Sequence, residues 1–496
     1  MALSRNFLAV DLGAESGRAI LGALDQGRLT LTPIHRFPNI PVLTPDGLHW
    51  DVLRLWSEIK TGLSHAVHKE RIELTAMGLD TWGVDYGLLD KQGTLISNPY
   101  HYRDSRTDGM IEEACRRMSR EQIFERTGIQ LMQINTLFQL LATVISGSPL
   151  LDIAQHLLMM PDLFNYWLTG QMTGEFTIAT TSQCFDPRRK EWATPLLDAM
   201  DIPRRILPPI IQPGTDLGPL CAPLVSETGA RGVRVIAPAC HDTGSAVAAV
   251  PAEKPGFAWI SSGTWSIMGA ELTGPIINAQ SLAYNFTNEG GVNHTIRFSK
   301  NIAGLWLVQE CRHTWAQVGE ELSYGELTEM AAQSKPLQSI VDPDAGEFLK
   351  PGDMPARIRA YCERTGQPVP ESKGEVVRCG LESLACKYRW VLERMQEMLG
   401  HELDPIHIVG GGTQNRLLSQ FTADVTGRRV ITGPVEATAA GNVLLQALAV
   451  GEIGSIADAR AIVRQSFPVE VFQPVDRAGW DEAYARLCAL VAQPVD

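Results

Sequence analysis

Residues 7–24 read FLAVDLGAESGRAILGAL, and residues 256–272 read GFAWISSGTWSIMGAEL. Each is an apolar run that halts at a turn of small and hydroxyl residues and resumes as a second apolar run, the signature of two strands joined tightly. RLTLTPIHRF at 28–37 extends the first pair to a predicted antiparallel meander. The likeness of the two stretches predicts two domains of similar design.

Between them, WDVLRLWSEIKTGLSHAVHKE at 50–70 places Val52, Trp56, Ile59, Leu63 and Val67 at helical spacing, with Asp51 as N-cap. LTAMGLDTWG at 74–83 reads as a strand, and YGLLDKQGTLI at 86–96 as a hairpin. Residues 107–170 read as helical, with a capping box at Ser119 and Gln122. A strand GVRVIAPA at 232–239 closes the first half. In the second half, helices are predicted near 303–335 and 374–400. A strand IHIVGGGTQN, a helix LLSQFTADVTG, a strand RRVITGP and the Ala-rich helix EATAAGNVLLQALAVG then fill 406–451. Strands alternating with helices predict α/β architecture in both halves. At 496 residues the chain is too long for one core, so the expected domains are 1–247 and 248–496.

With 44% hydrophobic and 20% charged residues the composition is that of an ordinary globular protein. No apolar window is long enough to span a membrane, and the start MALSRNFLAVDLG lacks a signal-peptide pattern. The expectation is a cytoplasmic protein with no membrane partner. A formal charge of −13 argues against binding nucleic acid. Nine cysteines lack metal-site spacing; Cys362 and Cys379 could pair, but reduced thiols are expected.

Three turns could carry chemistry. DLGAESGR, Asp11 to Arg18, can aim backbone N–H groups at a phosphate, with Arg18 adding charge and Asp11 holding Mg²⁺ through water; it is equally readable as a plain hairpin turn. SSGTW at 261–265 and VGGGTQN at 409–415 are the second and third, and three such turns after strands favour nucleotide binding. Motifs of other nucleotide-binding, zinc-protease and serine-hydrolase sites are missing, and SEIKTG at 57–62 only imitates a β-lactamase pattern inside a helix. In PACHDTGSAV, Asp242 reads either as a helix N-cap or as a general base accepting a hydroxyl proton, and one carboxylate could do both. Trp82, Trp265 and Trp306 could wall a sugar or pack in the core.

Together VDLGAESGR, GLDTWGVDYGLLD, YRDSRTDGM, PACHDTGSAV, SSGTWSIMGAE, TNEGG, KNIAGLWLVQE and IHIVGGGTQNRLLSQFTADVTGRRVITGPVEATAAGN resemble the FGGY carbohydrate kinases, collinearly from about residue 7 to 450. The resemblance implies two ribonuclease-H-like domains of the actin and hexokinase superfamily, with ATP and sugar in a central cleft. It implies phosphorylation of L-rhamnulose at C1 by ATP with Mg²⁺. By position, Ala14, Glu15, Ser16, Gly17 and Arg18 would take the ATP phosphates, and Thr264, Gln309 and Gly411 other parts of the nucleotide. Gly83, His241, Asp242, Thr243 and Asn301 would line the sugar, with Asp242 as proton acceptor. A kinase for another ketose, such as L-fuculose, and a non-catalytic ATP-binding sensor are the competing readings.

Overall fold

The computed structural model describes residues 5–492. The chain divides into two compact units. The first runs up to Glu253 and regains Glu271–Phe298 and Ala437–Phe467; the second holds Lys254–Ala270, Ser299–Glu436 and the chain from Pro468 onward.

The predicted meander forms the first unit's sheet. Arg5–Leu12 pairs antiparallel with Ser16–Asp25, which pairs antiparallel with Arg28–Pro38. On its other side Arg5–Leu12 pairs parallel with Ala76–Thr81, which pairs parallel with Arg234–Ala237, and Thr215–Pro219 closes the edge antiparallel. Arg5–Leu12 is central, and its last six residues are buried, as expected of a strand covered on both faces. The edge strand Arg28–Pro38 is largely exposed along one side.

Helix Val52–Ser64 begins where expected, with the Asp51 carboxylate accepting the Arg54 N–H at 3.1 Å. Leu55 takes a core position beside Val52 and Ile59, whereas Trp56 is half-buried and meets Trp167 edge-on. The capping box at Ser119 and Gln122 starts helix Arg120–Thr127. The stretch read as helical to residue 170 is interrupted by a short strand, His156–Met159, paired with Tyr86–Leu89.

The second unit repeats the first sheet's plan. Ala258–Ser262 pairs antiparallel with Trp265–Leu272 and parallel with Ile406–Val409, which pairs parallel with Val430–Thr432; Glu470–Phe472 closes the edge antiparallel. Among the described residues the first sheet has six strands and the second seven, and the chain position of the closing strand also differs. It precedes its neighbour in the first sheet and follows it in the second.

Each compact unit is built from separated stretches of the chain. Two of the boundaries fall within Trp265–Leu272 and Ile296–Ala303, and the Ala-rich helix Ala437–Ala449 belongs to the first unit. That helix packs on strands Arg5–Leu12 and Ala76–Thr81 and on helix Asp242–Ala248. Its Ala and Gly faces let backbones approach closely. No helix among the described residues is long and apolar enough to cross a membrane.

Candidate active site

Three adjacent parallel strand ends build the site of the first unit, where open α/β sheets place ligands. Asp11 lies opposite Asp80 in the parallel register, and Thr81 bridges to His241. The Thr81 N–H donates to the Cys240 carbonyl at 2.9 Å, and the Trp82 N–H to the Leu12 carbonyl at 3.1 Å. The Asp11–Arg18 turn, Gly83 and the His241–Thr243 segment are thereby neighbours.

His241, with extended backbone, is the N-cap of helix Asp242–Ala248, and Asp242 is its first residue. The capping expectation for Asp242 is therefore corrected. Its Oδ1 accepts the N–H and the hydroxyl of the next residue, Thr243. Its side chain keeps 30% exposure against 8% for His241, so the carboxylate is partly open.

The segment is clamped from behind. Glu175, fully buried, accepts the N–H groups of Thr177 at 2.9 Å and Cys240 at 3.0 Å, and the Thr177 hydroxyl accepts the His241 N–H at 3.1 Å. Burial pushes the Glu175 carboxyl up to about 7, against the pull of these hydrogen bonds. The His241 ring is held by two further residues: Arg297 Nη2 lies 2.9 Å and Glu289 Oε2 3.3 Å from its Nδ1. Burial works to raise the Glu289 carboxyl, but Arg297 and His241 hold it below its ordinary value. Glu175 and Arg297 carried no sequence signal. Glu289 sits in TNEGG, a family block without a role assigned to that residue.

Asp11 and Arg18 face each other across the first hairpin, with Arg18 Nε 3.0 Å and Nη2 2.9 Å from Asp11 Oδ2. The two groups read as a metal ligand and a phosphate cation are thus each other's partners. Glu15 is exposed, and the turn is pinned by Asn39, whose N–H and Nδ2 donate to the Glu15 and Gly13 carbonyls, both at 2.9 Å. Asp80, fully buried, accepts Asn442 Nδ2; burial and then the Asp11 charge push its carboxyl well up. Among the described residues no group of three or more His, Cys, Asp or Glu is placed to hold a metal ion.

Trp82 is core, not an open sugar wall. It is 5% exposed, lies 4.0 Å from the Trp50 ring, and both indole N–H groups donate to Asp85. Gly83 lies beside Thr181, whose hydroxyl accepts the Val84 N–H at 3.1 Å.

In the second unit, the turn at Thr264 and the start of helix Trp306–Gln317 are joined, because the N–H groups of Leu305 and Trp306 donate to the carbonyls of Gly263 and Thr264, both at 3.1 Å. Trp265 and Trp306 are half-buried, and the Trp306 indole donates to the Phe348 carbonyl at 2.9 Å. Gln309 lies in that helix with its Oε1 buried and unbonded. Asn301 is half-buried in strand Ile296–Ala303. A β-carbon on Gly412 would stand 1.9 Å from Ser262 Oγ, whereas Gly411 has open space around it. Of the triple glycine, only Gly411 presents bare backbone outward. All nine cysteines are free thiols, Cys362 and Cys379 included.

The two units share one α/β plan, with turns and a partly open carboxylate at strand ends, and the chain is a sugar kinase. The chain belongs to the FGGY family of carbohydrate kinases, whose N-terminal domain matches residues 6–249 and whose C-terminal domain matches 258–450. It is 44% identical over 482 residues to a protein named rhamnulokinase from Bacteroides thetaiotaomicron, covering 97% of this chain and 98% of that one. A rhamnulokinase from Pectobacterium carotovorum is 42% identical, covering 99% and 97%, and one from Bacillus subtilis 37% identical, covering 95% and 96%. Among solved structures, a ligand-bound xylulose kinase from Lactobacillus acidophilus superposes with a TM-score of 0.83 at 16% identity, over 99% of both chains. A Plasmodium falciparum glycerol kinase with ADP gives 0.79 at 14% identity, over 98% of both.

Proposed function

We propose that the chain transfers the γ-phosphoryl group of ATP to the C1 hydroxyl of L-rhamnulose, giving L-rhamnulose 1-phosphate and ADP in L-rhamnose catabolism. Full-length similarity to proteins named rhamnulokinase supports the sugar, and the partly open Asp242 carboxylate beside a clamped His241 supports the chemistry.

Asp242 orients the C1 hydroxyl and takes its proton; the oxygen bonds to the γ-phosphorus as the bond to the β-phosphate oxygen breaks and ADP leaves. His241, Thr243, Gly83 and Asn301 bind the sugar. The turn Ala14 to Arg18 holds phosphates through its backbone N–H groups, while Thr264, Gln309 and Gly411 hold other parts of ATP. Asp11 would hold, through water, the Mg²⁺ that accompanies ATP, and that ion would supply charge neutralisation. The nine free thiols fit a reducing cytoplasm.

The test is a coupled ADP-release assay over a panel of ketoses and polyols with wild type and Asp242→Asn. L-rhamnulose is expected to be the preferred substrate, and the variant to lose about 10²–10⁴-fold in kcat with its fold intact. Near-normal turnover by Asp242→Asn would overturn the role of that residue, and preference for another sugar the substrate.

A further inference from the structure

His241 is the one titratable ring beside the open carboxylate, and which of its nitrogens carries the proton decides what it offers a sugar hydroxyl. Three charged groups face it. Asp242 Oδ1 lies 3.5 Å from Nε2, while Glu289 Oε2 and Arg297 Nη2 lie 3.3 Å and 2.9 Å from Nδ1. Arg297 is fully buried; its Nε donates to the Gly290 carbonyl at 2.8 Å and its Nη2 lies 3.1 Å from Glu289 Oε2.

A guanidinium has donors only, so the Nδ1 it bonds must present a lone pair. A neutral imidazole that accepts at Nδ1 carries its hydrogen on Nε2, the nitrogen turned toward Asp242. Glu289 supplies the counter-charge that lets Arg297 stay charged in a dry place. Without Arg297 the nearest group to Nδ1 would be the Glu289 carboxylate, an acceptor that draws a proton onto that nitrogen. The ring would then be either the Nδ1–H tautomer, with an Nε2 lone pair against Asp242, or an imidazolium paired to it.

We propose that Arg297 is a positioning residue that fixes His241 as the Nε2–H tautomer, so that the ring gives a hydrogen-bond donor to the Asp242 side of the site and to the sugar oxygen bound there. The carboxylate then accepts the reacting hydroxyl's proton while the ring donates to a neighbouring oxygen, and the two side chains do not compete for one hydrogen. This rests on the reading of Asp242 as base.

Nitrogen NMR of protein carrying ¹⁵N-histidine, at about pH 8 where an ordinary histidine is neutral, tests it. The His241 signals are assigned by their loss in His241→Gln. Wild type is expected to show a protonated Nε2 and a bare Nδ1. Arg297→Met is expected to move the proton to Nδ1 or charge the ring, and to lower kcat about tenfold to a hundredfold with KM for ATP unchanged. Arg297→Met combined with Glu289→Gln gives Nδ1 an amide donor in place of the carboxylate, and is expected to restore the Nε2–H signature and part of kcat. A merely structural role for Arg297 predicts no such rescue. A wild-type Nδ1–H or imidazolium signal, or an unchanged tautomer in Arg297→Met, overturns the proposal, and the wild-type spectrum decides even where a variant fails to fold. Full turnover by Asp242→Asn would instead sink the base assignment and leave the tautomer result standing.

Discussion

Gly441 lies against Ser245 with no room for a side chain: a β-carbon there would stand 1.8 Å from the Ser245 carbonyl oxygen. Helix Ala437–Ala449 thereby packs backbone to backbone on the helix that begins with Asp242. A polar seam fixes its register: Asn442 donates to Asp80, and Gln446 Nε2 donates to the Leu8 carbonyl at 3.1 Å and to Asn442 Oδ1 at 2.7 Å.

Gly441→Ala is therefore expected to destabilise the first unit by about 1–3 kcal/mol or more, as overpacking does, and to lower kcat by shifting the Asp242 helix. Urea unfolding and ADP release measure the two effects. A wild-type midpoint would contradict the close approach.

Asp85 accepts from Trp50 and Trp82 at 2.6 and 2.9 Å and from Gln139 at 2.8 Å, yet burial dominates and pushes its carboxyl from 3.8 up to about 6. The raised value means that the folded state favours the protonated form, so this contribution is complete below the unfolded pKa and is lost as pH rises through about 6. A shift from 3.8 to about 6 corresponds to about 3 kcal/mol. The stability advantage of wild type over Asp85→Asn should shrink by about that amount between about pH 4 and 7. Urea midpoints across this range check it, and a constant difference would show that Asp85 titrates normally.

Gly411 and Gly412 separate ligand contact from packing. Gly412→Ala would drive a methyl group into Ser262 and is expected to unfold the second unit at lower urea. Gly411→Ala meets nothing within 4 Å, so stability should hold while KM for ATP rises. An unchanged KM would remove Gly411 from the nucleotide site.

Thr177→Val deletes the hydroxyl that accepts the His241 N–H at 3.1 Å and donates to Glu175, at nearly constant shape. Leaving these buried groups unpaired costs about 1–3 kcal/mol. The expected result is a lower melting temperature together with reduced kcat. Unaltered turnover would mean that the clamp does not position the His241–Asp242 segment.

Local chemistry made much of this protein legible. The apolar alternation at 7–37, the Asp51 cap and the Ser119 box each depend on residues within a few positions of one another, and the structure keeps them. The likeness of 7–24 to 256–272 likewise anticipated two domains of similar design, because in each a short turn between two apolar runs lets them pair antiparallel. What depends on partners far apart in the chain was not legible. Asp242 is the first residue of a helix but does not cap it, because His241 takes the N-cap position. Trp82 lies in the core because Trp50 and Asp85 receive it. Arg297 reaches His241 across 56 positions. An Ala-rich helix at 437–449 is plain in the sequence, yet its place in the first unit was decided by tertiary structure, since only there do bare backbone at Gly441 and the Asn442 and Gln446 amides find matching surfaces.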